Sequence, residues 1–321
     1  MSGVAVVALV VVADPARALQ ILVTASPAEL AAAVVVCSVG LIARSAASRE
    51  LINGRVGLGA SFAALTIGYL ANNLLPLRAG EAIRSVVLGR QSGLGIIGGA
   101  TAVAAERLLD VVFAATILIA ALPAVGVDAG WLAPVAAAAA AAVGVTVLLV
   151  VAHHRETLVG WLEEKLKRWS RIAAVLPRLT AALDGLARPK RLLRATFFLG
   201  LSWILGVSFF WLVLRAFIPG APLSWAAVSI GVLAFGIALP SSPGAIGVYE
   251  AALVGGLALC GVDSANALAF AVTAHALSFS ITSICGLVAL VRQVPSGDGV
   301  TGRARSLMNN NKMPAPEEAA Q

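Results

Sequence analysis

The 321 residues are 60% hydrophobic and only 12% charged, with a formal net charge of +7. That composition excludes an ordinary soluble domain, and the long apolar runs without period-two alternation exclude a transmembrane β-barrel. The positive charge does not point to nucleic acid, because the basic residues sit in loops beside apolar runs and no soluble basic domain presents them.

In chain order, the apolar segments are 4–13, 28–43, 57–76, 96–122, 131–152, 195–218, 224–240, 246–260 and 265–291. The first is short for a span and lacks a basic flank, so it reads as a truncated first helix in preference to a weak signal peptide. Residues 153–194 form the long polar loop. Within it Leu158, Trp161, Leu162, Leu166, Trp169 and Ile172 recur at helical spacing among basic residues, which predicts an amphipathic helix lying on the membrane surface. The tail 295–321 has no hydrophobic period and reads as disordered. Cys37, Cys260 and Cys285 fall in apolar segments at spacings that imply neither a metal site nor a disulfide, and read as packing residues.

Two stretches repeat. Residues 61–71 read SFAALTIGYLA and residues 224–234 read SWAAVSIGVLA, identical at seven of eleven positions. Pro76 and Gly80 follow the first, Pro240 and Gly244 the second, with the same P-x-x-x-G spacing. The shared serine, Ile-Gly pair and P-x-x-x-G mark an internal repeat, about 57–122 and about 224–291.

Charge orients the repeats. If 57–92 enters and returns on one side, then 44–55, 78–90, 153–194 and 292–321 share that side, with all of the 23 Lys and Arg except Arg17, Arg107 and Arg215. The positive-inside rule makes that side cytoplasmic. Three spans then separate the two hairpins, so the second hairpin enters from the opposite face. The expected fold is an all-α polytopic membrane protein: about six spans plus two opposed re-entrant hairpins in an inverted repeat, one transmembrane domain over 1–294, both termini cytoplasmic. Broken helices meeting near the midplane are the architecture in which transport sites form.

The candidate chemistry lies at the breaks. In NNLLPLRAGEAIRS, residues 72–85, the return helix of hairpin one is expected to start near Ala79. Its amides, with Arg78 and Arg84, suit an anion, above all a phosphate, and Asn72 and Asn73 suit freed backbone or a polar head group. The following span carries Glu106, Arg107 and Asp110, each costly at membrane depth, with Arg107 spaced to pair with Asp110 at i+3. In LPSSPGAIGVYEAAL, Ser241 and Ser242 suit a helix cap and Gly244 a close approach. Glu250, one turn on, is placed to reach Arg84 or Arg107; His275 lies in the last span. Substrate contact is therefore assigned to Arg84, Arg107, Arg78, Asn72, Asn73, Ser241, Ser242 and Gly244, and charge coupling to Glu81, Glu106, Asp110, Glu250 and His275. No nucleotide-binding glycine loop or metal-ligand cluster is legible, so no cofactor, no metal and no catalytic residue is expected.

NNLLPLRAGEAIR, AAERLLDVV and LPSSPGAIGVYEAAL together resemble the flippase-like transmembrane domain of the lysylphosphatidylglycerol synthase family, over about 28–292. The soluble acyltransferase-like domain that makes the lipid in two-domain members has no counterpart in these residues. The resemblance thus implies a stand-alone member that moves a lipid and does not synthesise it. The expected function is translocation of an anionic or phosphate-bearing lipid across the bacterial cytoplasmic (inner) membrane, with membrane lipids and a lipid-modifying enzyme as partners. The rival readings are a membrane-embedded transferase on lipid-linked substrates and a non-transporting accessory subunit of such an enzyme.

Overall fold

A computed structural model describes residues 15–76, 79–126, 153–166, 188–237 and 242–293, with isolated positions between 135 and 183. Among the described residues the regular elements are helical. They are α1 (Pro15–Leu22), α2 (Pro27–Leu51), α3 (Leu58–Leu74), α4 (Gly80–Ser92), α5 (Gly95–Ala121), α6 (Arg155–Leu166), α7 (Pro189–Phe217), α8 (Leu223–Gly236), α9 (Val248–Ala258) and α10 (Ser264–Gln293). Single 3-10 turns follow α5 (Leu122–Val125) and precede α9 (Pro243–Ala245).

Four helices are long and apolar enough to cross a membrane: α2, α5 with its 3-10 extension, α7 and α10. They coincide with the expected spans 28–43, 96–122, 195–218 and 265–291. The other two expected spans, 4–13 and 131–152, lie outside the described residues apart from isolated positions, as does the tail. Between the apolar segments 4–13 and 28–43 lies the short helix α1, opened by Pro15 at its first position. Of the long polar loop, Arg155–Leu166 is helical and Trp161 is exposed on it.

α2 and α7 form the spine. Each has a proline in its first turn, which supplies a pre-set φ where no intrahelical N–H bond is needed. They run antiparallel: Glu29 pairs with Arg215 at 3.2 Å at one end, and Glu50 with Arg191 at 3.5 Å at the other. Between these ends Gly40 faces Leu205, and small residues such as Ala33, Ala47 and Ala195 are fully buried. Small residues let helices approach where lipid offers no hydrophobic drive for association. α2 stops because Asn53 and Gly54 take positive φ (68° and 64°), a left-handed exit that ends a helix. It continues past the expected boundary at 43, so Arg44 is a helical residue and not a loop residue.

Each spine helix leads into a pair of short helices. α3 and α4 have 17 and 13 residues. At about 1.5 Å per residue they reach about 26 and about 20 Å, short of a hydrocarbon core of about 30 Å. They cross through glycine: a Cβ on Gly80 would lie 1.9 Å from the Gly68 carbonyl oxygen. α8 and α9 are similarly short and meet through Gly236 and Ala252. The α3–α4 pair leaves α2 at the Glu50–Arg191 end, and the α8–α9 pair leaves α7 at the Arg215–Glu29 end. Packing is exchanged between repeats, since α3 lies against α10 and α8 against α5. Gly286 of α10 abuts the Thr66 carbonyl of α3, and Gly231 of α8 abuts Leu118 of α5.

Candidate functional site

The polar centre is a charge network between α2, α4 and α5. Glu106, fully buried in α5, accepts two hydrogen bonds from Arg84 of α4, one from Nη1 to Oε1 at 3.0 Å and one from Nη2 to Oε2. Arg84, only 3% exposed, also donates from Nη2 to Ser48 Oγ of α2 at 2.9 Å. Arg44 of α2 brings Nε to 2.9 Å from Glu106 Oε1, and its Nη2 donates to Asp110 Oδ2. Asp110 further accepts from Arg107 Nη1 at 3.1 Å and from Trp203 Nε1 of α7 at 3.0 Å. Arg107 Nη2 donates to Glu81 Oε1 at the start of α4. Three guanidinium groups thus meet three carboxylates, which is the balance a low-dielectric interior demands.

The network has a sealed half and an open half. Arg84 and Glu106 are enclosed, whereas the Arg107 and Glu81 side chains are 34% and 25% exposed. A groove of about 340 Å³ between α4 and α5 is lined by Glu81, Ser85, Ala104 and Arg107. A second cavity, about 190 Å³, lies between α2 and α7 and reaches Arg44, Tyr69 and Ser202 through mostly apolar walls.

The tips of the two short pairs meet one another. Asn72 Oδ1 accepts from the Gly80 N–H at 2.8 Å, so one amide expected to face an anion is already engaged. Asn73 Nδ2 donates to Ser283 Oγ at 2.8 Å and Thr282 Oγ1 at 3.1 Å, tying α3 to α10. A Cβ on Gly244 would lie 3.6 Å from the Asn73 carbonyl oxygen and 3.1 Å from the Phe279 ring. Ser242 does not cap α9 with its side chain; its Oγ donates to the Ile246 carbonyl at 3.1 Å. The N-cap is Gly247, whose N–H donates to Glu250 Oε2 at 2.7 Å. Arg78 and Ser241 lie outside the described residues.

Two pairings differ from the sequence expectation, and one agrees. Arg107 does pair with Asp110 across i+3. Glu250 reaches neither Arg84 nor Arg107; it pairs with His275 Nδ1 at 2.6 Å, because α9 lies against α10 and not against α4. Arg84 does not face a cavity, because Glu106 and Ser48 take its two terminal nitrogens. The expectation missed Arg44, Ser48 and Trp203. The absence of Gly or Pro between Ala43 and Ile52, apart from its Ser and Arg residues, was the available signal that α2 continues through Arg44 and Ser48. Nothing in the sequence singled out Trp203. Cys37, Cys260 and Cys285 are unbridged and half-buried.

The chain has relatives. A glycosyltransferase, AglD, of Haloferax volcanii is 27% identical over 85% of this chain and 50% of its own length. A UPF0104 membrane protein of Methanothermobacter thermautotrophicus is 27% identical over 71% of this chain and 72% of its own. The chain therefore spans half the length of the first relative. No solved structure matches. The family described as the lysylphosphatidylglycerol synthase TM region matches residues 1–286, more than half of the chain, and the protein belongs to that family.

Proposed function

We propose that the chain translocates a lipid with an anionic or phosphate-bearing head group across the cytoplasmic membrane, with both termini inside. One observation carries the reading: a charge-balanced network held between α2, α4 and α5 is open on one side, at the α4–α5 groove. On this reading α3–α4 and α8–α9 are re-entrant hairpins of an inverted repeat, and irregular backbone at depth is tolerated because it faces protein or a cavity.

The open half receives the head group. Arg107 offers a guanidinium at the α4–α5 groove, and phosphate oxygens can take its donors bidentately in exchange for Glu81 and Asp110. Glu81, released, balances a cationic portion of the head group. Arg84, Glu106 and Arg44 hold α4, α5 and α2 together while this exchange occurs. The acyl chains stay in lipid beside the apolar faces of α4 and α5.

The test is leaflet exchange in vesicles that contain the purified full chain, with fluorescently tagged phosphatidylglycerol as probe and tagged phosphatidylcholine as comparison. Faster loss of inner-leaflet phosphatidylglycerol than in empty vesicles supports the reading; equal rates refute it. The name of the Haloferax relative favours a second reading, a transferase on lipid-linked substrates. That reading expects the same vesicles to yield a covalently altered lipid by mass spectrometry.

A further inference from the structure

We infer that Glu250 and His275 form a single-proton binding site that couples proton movement to the lipid movement proposed above. The inference rests on that functional reading for its coupling, but the proton site stands on its own geometry.

Glu250 engages both carboxylate oxygens, one with the Gly247 N–H at 2.7 Å and one with His275 Nδ1 at 2.6 Å. A carboxylate only accepts, so Nδ1 carries the hydrogen and the lone pair resides on Nε2. The imidazole ring lies flat on Tyr249, with centroids 4.1 Å apart and planes 14° apart, and Phe279 stands edge-on at 6.1 Å. These contacts fix the ring. Its side chain keeps 11% exposure.

Nε2 has no hydrogen-bond partner among the described residues. A proton arriving there forms an N–H bond with the lone pair and converts carboxylate–imidazole, with one net negative charge, into carboxylate–imidazolium, with none. The reverse step returns that proton to water. No other group moves and no electrons are exchanged.

Among the described residues, the remaining elements packed against α10 do not supply a competing counter-charge. Arg17 of α1 is at 3.6 Å from Asp263, Arg215 of α7 at 3.2 Å from Glu29, and Arg44 of α2 is taken by Glu106 and Asp110. α3 contributes Tyr69 as its titratable side chain, α9 contributes Tyr249 beside Glu250, and Cys37 and Cys285 are free thiols. The first-repeat network is unsuited to carry protons at ordinary pH, because arginine does not release its proton there.

The site is also placed to act on the join between the repeats. Two turns beyond His275, Thr282 and Ser283 on the same helix hold Asn73 of the first hairpin. Neutralising the Glu250–His275 pair lets α9 and α10 shift within lipid at lower cost than when the pair is charged.

Two measurements test the proposal. The first uses the full chain with His153→Gln and His154→Gln, so that isotope-labelled His275 alone reports by nitrogen NMR. The expected spectrum is the Nδ1–H tautomer at high pH, which gains a proton on Nε2 as pH falls; Glu250→Gln, which removes the carboxylate acceptor on Nδ1, changes that behaviour. A ring that stays in one state from pH 5 to pH 9, or titrates identically in Glu250→Gln, overturns the site. The second applies a pH gradient to the phosphatidylglycerol vesicles. Wild type is expected to exchange lipid several-fold faster with the gradient than without it, and His275→Gln to lose that acceleration. Acceleration that survives in His275→Gln overturns the coupling. If wild type exchanges no lipid under any condition, the functional reading and the coupling fall together, while the NMR titration still decides the proton site.

Discussion

The two stretches that repeat in sequence differ in what they bury. At the spacing that separates Pro76 from Pro240, Glu106 corresponds to Phe270 and Asp110 to Ala274. Glu106 is enclosed by two arginines; Phe270 and Ala274 are enclosed by apolar side chains and are equally buried. At these positions the second stretch packs apolar side chains where the first packs charges, and its own buried pair, Glu250–His275, lies apart from them. Buried ion pairs at best break even against apolar packing of the same shape, so the fold alone does not account for them. Beside a groove, they are the groups that the head-group site proposed above would use.

That contrast can be broken by substitution, with unfolding of the detergent-solubilised protein as the readout. Glu106→Ala leaves Arg84 and Arg44 facing each other in the interior and is expected to cost about 3–5 kcal/mol. Replacing Arg84 and Glu106 together with methionine removes the stranded charge and is expected to recover most of that loss. If the double variant is as unstable as Glu106→Ala, the pair is architectural and the comparison fails.

Glycines sharpen it next. Gly80→Ala puts a Cβ against the Gly68 carbonyl and Asn72, groups that cannot retreat without moving α3, and is expected to cost about 1–3 kcal/mol. Its counterpart Gly244→Ala meets the edge of Phe279 and, at ordinary contact distance, the Asn73 carbonyl, but must hold a φ near +65°, at a cost of about 1–2 kcal/mol. Asn73→Ala, which unties α3 from α10, is expected to cost about 1 kcal/mol. Smallest is Arg215→Ala at the partly exposed end of the spine, at less than about 1 kcal/mol.

How far the sequence led varies by residue. The break between α3 and α4 and the charged turn of α5 were legible because each is local: a helix breaker or a charge in an apolar run marks it. The i+3 pairing of Arg107 with Asp110 follows from helical spacing alone. Partners across helices were not legible. Arg84 meets Glu106, and Glu250 meets His275, only because the short pairs fold back on their own repeat, and charge pattern does not encode which helix packs on which. Arg44 was hidden differently. Its basic neighbourhood resembles a cytoplasmic loop, yet the helix continues until Asn53 and Gly54 adopt left-handed conformations.

The most direct test compares the open and the sealed arginine in the vesicle assay at equal protein abundance. Arg107→Lys keeps the charge but loses the planar fork, and Arg107→Ala loses both. The account expects both variants to retain the wild-type unfolding midpoint to within a few degrees, with phosphatidylglycerol exchange reduced in Arg107→Lys and near that of empty vesicles in Arg107→Ala. Exchange at the wild-type rate in folded Arg107→Ala would contradict it.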